Sequence, residues 1–263
     1  MTQPILNILM AIYKGLLFLH VPFALGFSII GLTILIRLVL YPFIGAQLKA
    51  SKKMQELNPH LKKLKDTHKN DAKRLQQETM KLYKEHGVNP LAGCLPVIIQ
   101  LPIIWGLYSV LQEIVKIAPA DVVTHINKQV YLSSLKLTSA WDPTFFGLPL
   151  GKTPAQLFSV MGLIVLVPFL TGLFQFVQSK MMFSTSGVTD KIKEKKKTDD
   201  FASMFQSQSL YIFPIMIAFF SWGFPIGLSL YWNTFTIFGI MQQYKITGIG
   251  GFNGWKEKYY DKR

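Results

Sequence analysis

Apolar residues run through this chain in long blocks, and the breaks between the blocks carry nearly all of its charge. Residues 15–36, 38–48, 91–112, 153–179 and 201–244 contain no Asp, Glu, Lys or Arg, and only Arg37 separates the first two. A helix needs roughly 20 apolar residues to cross the ~30 Å hydrocarbon layer of a bilayer. One crossing therefore fits each of 22–48, 91–112 and 157–178. The last block is 44 residues long, and Gly223-Phe224-Pro225-Ile226-Gly227 reads as a tight turn dividing it into spans at 208–223 and 226–244. The pattern alone predicts an all-α integral membrane protein with five transmembrane helices.

The polar stretches have periods of their own. Met54, Leu57, Leu61 and Leu64 recur at intervals of 3, 4 and 3, and Leu75 and Leu82 continue the stripe after a break at Thr67-His68-Lys69-Asn70-Asp71. This predicts two short amphipathic helices folded as an antiparallel hairpin over 49–90. Near the start, Gln3, Asn7 and Lys14 share one face of an otherwise apolar helix, so 1–21 reads as an interfacial helix before Pro22 turns the chain into the first span. The stretch 113–156, with Trp141, Phe145 and Phe146, suits the outer interface, where aromatic rings are favoured.

Composition sharpens the class. Half of the 263 residues are apolar and 16% are charged, against about 25% in an ordinary soluble domain. That content excludes disorder, and the single cysteine, Cys94, excludes a disulfide scaffold. Lys and Arg number 28 against 14 acids, a net charge of +14. The basic residues are 11 in 47–90, 4 in 113–156, 6 in 179–207 and 5 in 245–263. Positive loops stay in the cytoplasm, so 49–90, 179–207 and the tail 245–263 are expected inside, with the N-terminus and 113–156 outside. The hairpin's lysines form a solvated face or meet a ribosome, a targeting factor or anionic lipid; the sequence does not choose among these.

Arg37 is the residue to explain. It lies about nine residues from the inner end of its span, roughly 13 Å deep along a straight helix. A charge at such depth costs from ~2.5 to well above 10 kcal/mol, depending on how far water relieves it. All 14 acids lie in the connections or the tail, so no buried carboxylate is available to it. Water, carbonyls, polar side chains or a visiting anion remain. Thr33 is one turn away on the same helix, Gln100 lies at similar depth in the second span, and Thr171, Gln175 and Gln178 mark the third. Ser229, Asn233 and Thr236 fall in register at i, i+4 and i+7 on the fifth. Such residues commonly act as interhelical glue. With an unpaired arginine at their level, they predict a hydrophilic groove open to the cytoplasm.

No catalytic residue, metal site or cofactor is expected, and the chain is not read as an enzyme. His20, His60, His68, His86 and His125 show no metal spacing, Cys94 has no histidine nearby in sequence, and no GxxxxGK[ST] motif occurs. Nothing points to sequence-specific nucleic-acid binding. A small-solute transporter or channel is the competing class, but transporters commonly carry internal repeats, and none is evident here.

Three motifs in order resemble one family. Asn89-Pro90-Leu91-Ala92-Gly93-Cys94-Leu95-Pro96-Val97-Ile98-Ile99-Gln100-Leu101-Pro102-Ile103, the run from Gly26 through Thr33 and Arg37 to Tyr41-Pro42, and Phe224-Pro225-Ile226-Gly227-Leu228-Ser229-Leu230-Tyr231-Trp232 ending at Gln242-Gln243 are similar to the YidC family of membrane protein insertases. The similarity runs from about residue 3 to 245 and fits the short bacterial form. It implies a multi-pass bacterial cell-membrane protein that takes nascent membrane proteins into lipid. It also brings the ribosome, signal-recognition targeting factors and the Sec translocon into view as partners. In this family the arginine matching Arg37 is the positive centre of the groove, with Thr33, Gln100 and the aromatic Trp232, beside Tyr231, on its walls. Some relatives carry tyrosine at the position of Trp232, so the aromatic wall is kept here without that hydroxyl.

Overall fold

A computed structural model describes residues 2–68, 71–88, 95–116, 121–182 and 208–252. The motif at 89–94, most of the loop 179–207 and the end of the tail therefore lie outside the described residues. Among those described, the chain is helical apart from turns and one two-stranded ribbon. Packing divides it into two compact units, one drawn from 1–40, 97–175 and 215–238, the other from 41–96, 176–214 and 239–263.

In the first unit, α1 (Thr2–Phe18) packs on α2 (Ala24–Val39). Leu6, Leu9, Met10 and Tyr13 on α1 are 0–5% exposed, and so are Leu25, Ile29 and Leu32 on α2. Both sets follow the i, i+3, i+4, i+7 spacing of a helix stripe, so the two stripes are the core. Asn7, on the face it shares with Gln3 and Lys14, is buried. It is 7% exposed, and its Nδ2 donates to the Gln3 and Gln129 carbonyls at 2.9 and 3.1 Å. Its Oδ1 accepts from the Tyr131 N–H at 2.7 Å, so both ends of the amide are used. That clasp ties α1 to α7 (Val122–Gln129) and the residues just after it.

Among the described residues of 113–156, β1 (Thr144–Phe145) and β2 (Leu148–Pro149) form an antiparallel ribbon that packs on this core. Phe145 lies edge-on to Phe27 at 5.3 Å, and a Cβ on Gly26 would overlap the Phe145 ring. The following loop reaches α11 (Ile226–Thr247): the Ile226 and Gly227 N–H groups donate to the Lys152 and Leu150 carbonyls at 2.9 and 2.7 Å. Two of the four N–H groups that a helix start leaves open are thereby satisfied.

The expected turn at 223–227 is present. α10 (Phe213–Gly223) ends there, only Phe224 and Pro225 intervene, and α11 begins. The stretch 22–48 differs from the single helix expected. α2 stops at Val39, and α3 (Tyr41–Glu56) starts after Leu40. Pro42 explains the break, because it lacks an N–H and its ring clashes with the carbonyl four residues earlier. Among the described residues, Gly162–Met182 alone has the length and apolarity to cross a membrane by itself. The α2–α3 pair meets the same test only when the two are taken together. Most of Gly162–Met182 is α9 (Leu166–Met182); the short α8 (Pro154–Leu157) precedes it.

In the second unit, α4 (Asn58–Thr67) packs on α5 (Ala72–Glu85) around Leu57, Tyr83 and Val88, with Met54 and Leu61 against them. Rings of His60, early in α4, and His86, just past α5, are 6.3 Å apart, which makes the pair antiparallel. Asp71 caps α5 by accepting from the Arg74 N–H at 2.9 Å. α4 ends at Thr67 and α5 begins at Ala72, on either side of the interrupted stripe, and 69–70 lie outside the described residues.

Candidate functional site

Two polar groups occupy the interior of the first unit, and they differ in how well they are satisfied. The first joins α9, α10 and α11. Ser221 Oγ lies 2.8 Å from Ser229 Oγ and donates to Thr171 Oγ1 at 3.4 Å, and the Trp232 indole donates to Gln175 Oε1 at 3.1 Å. Thr171, Gln175, Ser221 and Ser229 are all 8% exposed or less. A cavity of about 20 Å³ sits among Thr171, Ser221, Ser229 and Trp232, room for about one water. This group is interhelical glue: each hydroxyl or amide has found another.

The second group centres on Arg37 near the end of α2. Its guanidinium donates to the Phe235 carbonyl at 2.5 Å, and its carbon lies 3.4 Å from the centroid of the Phe235 ring. A carbonyl has two lone pairs, so it can take this donor in addition to its helix bond. A cation on an aromatic face gains about 0.5–2 kcal/mol. Of the options that the acid-free spans left open, the structure shows a carbonyl, and it adds an aromatic ring that was not among them.

It does not show the open groove expected around this residue. Among the described residues Arg37 is 2% exposed, and it lines neither the small cavity beside Thr171 nor the one beside Gln243. Phe235 supplies the reason, since its ring covers the guanidinium that would otherwise need water. The enclosure is incomplete in hydrogen bonds, however. Arg37 Nε, Asn233 Oδ1 and Thr236 Oγ1 are buried without a partner among the described residues. A buried polar atom left unpaired costs about 1–3 kcal/mol.

The remaining expected residues fall as follows. Thr33 is 0% exposed and donates to the Ile29 carbonyl at 2.6 Å, within its own helix. Tyr231 is 0% exposed, with its ring 5.9 Å from that of Phe235. Gln100 is on α6 (Leu95–Lys116), and its side chain lies outside what is described. Gln178 is half-buried on α9. The structure thus separates Ser229, Trp232 and Gln175, which are paired, from Asn233 and Thr236, whose Oδ1 and Oγ1 have no partner among the described residues. Phe235 and Ser221 were missed from sequence. Ser221 had a signal, being the one hydroxyl residue in α10, whereas a phenylalanine in an apolar helix carries none.

Among the described residues the chain is helical, with one helix long and apolar enough to cross a membrane and a cation buried without a carboxylate partner. Its residues 17–250 match the model of the 60Kd inner membrane protein family, and the chain belongs to that family. The membrane protein insertase YidC of Fusobacterium nucleatum is 36% identical over 225 residues, which cover 86% of this chain and 87% of that protein. The membrane protein insertase MisCA of Bacillus subtilis is 35% identical over 227 residues, 85% of this chain and 70% of that one. The chloroplastic inner membrane protein ALBINO3 of Arabidopsis thaliana is 32% identical over 256 residues, 93% of this chain and 51% of the relative.

Proposed function

We propose that this protein is a membrane protein insertase that accepts nascent membrane proteins from the cytoplasm and delivers them to the bilayer without nucleotide hydrolysis. Family membership supports the class of activity, and one observation carries the mechanism: among the described residues Arg37 is buried with no acid paired to it, and its Nε, Asn233 Oδ1 and Thr236 Oγ1 have no partner. A guest segment supplies what all three lack: its carboxylates accept from Arg37 Nε, and its backbone N–H groups donate to Asn233 Oδ1 and Thr236 Oγ1. Its tail enters between α2 and α11, displaces the Phe235 ring from the guanidinium, and opens the groove that the enclosed arrangement conceals. Thr33, Gln100, Gln175, Ser229, Tyr231 and Trp232 form the walls of that groove.

The reading assigns five spans, at 22–48, 91–112, 157–178, 208–223 and 226–244, with the N-terminus outside and the C-terminus in the cytoplasm. The guest's apolar segment slides along the lipid-facing side of the third and fifth spans. A tail crossing bare hydrocarbon leaves backbone groups unsatisfied at several kcal/mol each, so a polar groove through half the membrane shortens the dry path. Burial of the guest's apolar helix, at about 25 cal/mol per Å², supplies the drive. The basic hairpin and tail face the cytoplasm, where the guest arrives.

The test is insertion of a short single-span protein into vesicles containing only this chain and lipid, with nucleotide absent, alongside uptake of small solutes by the same vesicles. Protease-protected insertion without solute uptake is the expected result. Solute uptake without insertion contradicts the proposal and favours a transporter.

A further inference from the structure

The second unit contains a polar cavity of about 290 Å³ between α3, α11 and the end of α9. Lys52, Gln55 and Glu56 line it from α3, Met182 from α9, and Gln243 and Thr247 from α11. Two of these side chains are committed: Gln55 Nε2 donates to the Met182 carbonyl, and Thr247 Oγ1 donates to the Gln243 carbonyl at 3.0 Å. Gln243 is different. It is 2% exposed, and its Oε1 has no partner among the described residues. An amide oxygen only accepts, so this atom calls for an N–H or O–H donor. At the rim, Lys52 and Glu56 stand one helical turn apart, both exposed.

We infer that this cavity binds a lipid headgroup of the ammonium–phosphate type, as in phosphatidylethanolamine. The ammonium donates to Gln243 Oε1 and faces Glu56, while the phosphate faces Lys52. The volume lies at the small end of ligand pockets, which run from roughly 300 to 1,000 Å³, and suits a headgroup rather than a folded partner. The location favours a lipid over a free phosphoester. Gly162–Met182 is 21 residues long, about 30 Å at ~1.5 Å per residue, so its end at Met182 falls at headgroup level. This last step rests on the membrane-spanning reading given above.

The chemistry ranks the lipids. Phosphatidylcholine carries the same two charges, but its quaternary nitrogen has no N–H and leaves Gln243 unsatisfied. Phosphatidylglycerol offers hydroxyl donors but no cation for Glu56. The full chain in detergent, titrated with each lipid on matched acyl chains and read by native mass spectrometry, is expected to bind phosphatidylethanolamine about tenfold more tightly than phosphatidylcholine, the effect of one charge-assisted hydrogen bond. Gln243→Leu should abolish that preference, and Glu56→Gln, at an exposed position, should weaken it even if the first variant folds poorly. Equal binding of the two lipids by the unmodified chain, or a preference that survives both substitutions, overturns the inference. Soluble phosphoethanolamine binding as tightly as the lipid overturns its assignment to a membrane lipid. Insertion measured on the same preparations separates the two readings: intact insertion with no lipid preference removes only the headgroup site, and intact preference with no insertion removes only the insertase.

Discussion

Arg37 shows how a single side chain can be legible in its chemistry and illegible in its contacts. That it would lack a carboxylate followed from the positions of all 14 acids. That a phenyl ring and a backbone carbonyl would hold it did not, because Phe235 looks like any apolar residue of its helix until the two helices are packed. Tyr13 is a second case, outside the spans. Burial first, and the nearby charge of Asp142 second, raise its phenol above the ordinary 10.0. A raised pKa means that the neutral phenol is favoured by folding. Its contribution is therefore complete below pH 10 and is lost as pH rises through the raised value. Thermal unfolding followed from pH 9 to 11, a window about one unit either side of the free phenol, should show a fall in stability that Tyr13→Phe reduces.

Among elements, those defined by local signals were readable. The Phe224-Pro225 turn and the separate helices α4 and α5 each depend on residues within a few positions of one another. Two features depend on something else. The break at Leu40 was hidden because counting apolar residues ignores the backbone, although Pro42 was in plain sight. The Asn7 clasp was hidden because its partners Gln129 and Tyr131 lie 122 and 124 residues away, so the sequence showed only a polar residue on an apolar helix. The docking of the β1–β2 ribbon on α2 is likewise non-local, and it depends on Gly26 having no Cβ to strike Phe145. Gly26→Ala should lower stability by about 1–3 kcal/mol through overpacking, measured by thermal unfolding. Adding Phe145→Ala to that variant should recover part of the loss, since it removes the ring that the new methyl meets.

At the scale of the whole molecule, the sequence specified class and family more fully than it specified the state of the site. Long uncharged blocks and three ordered motifs suffice for the first. Whether a polar interior stands open or closed depends on small differences among buried groups, and here the Phe235 ring lies over the Arg37 guanidinium. The most direct measurement is insertion of two guests that differ only in tail charge, one acidic and one neutral, by the unmodified chain and by Arg37→Ala in the same vesicles. If the guanidinium attracts the tail, the substitution slows the acidic guest about tenfold more than the neutral one, the effect of roughly 1.4 kcal/mol. Equal slowing of both guests would contradict the account, leaving Arg37 a structural residue and the acidic tail without its partner.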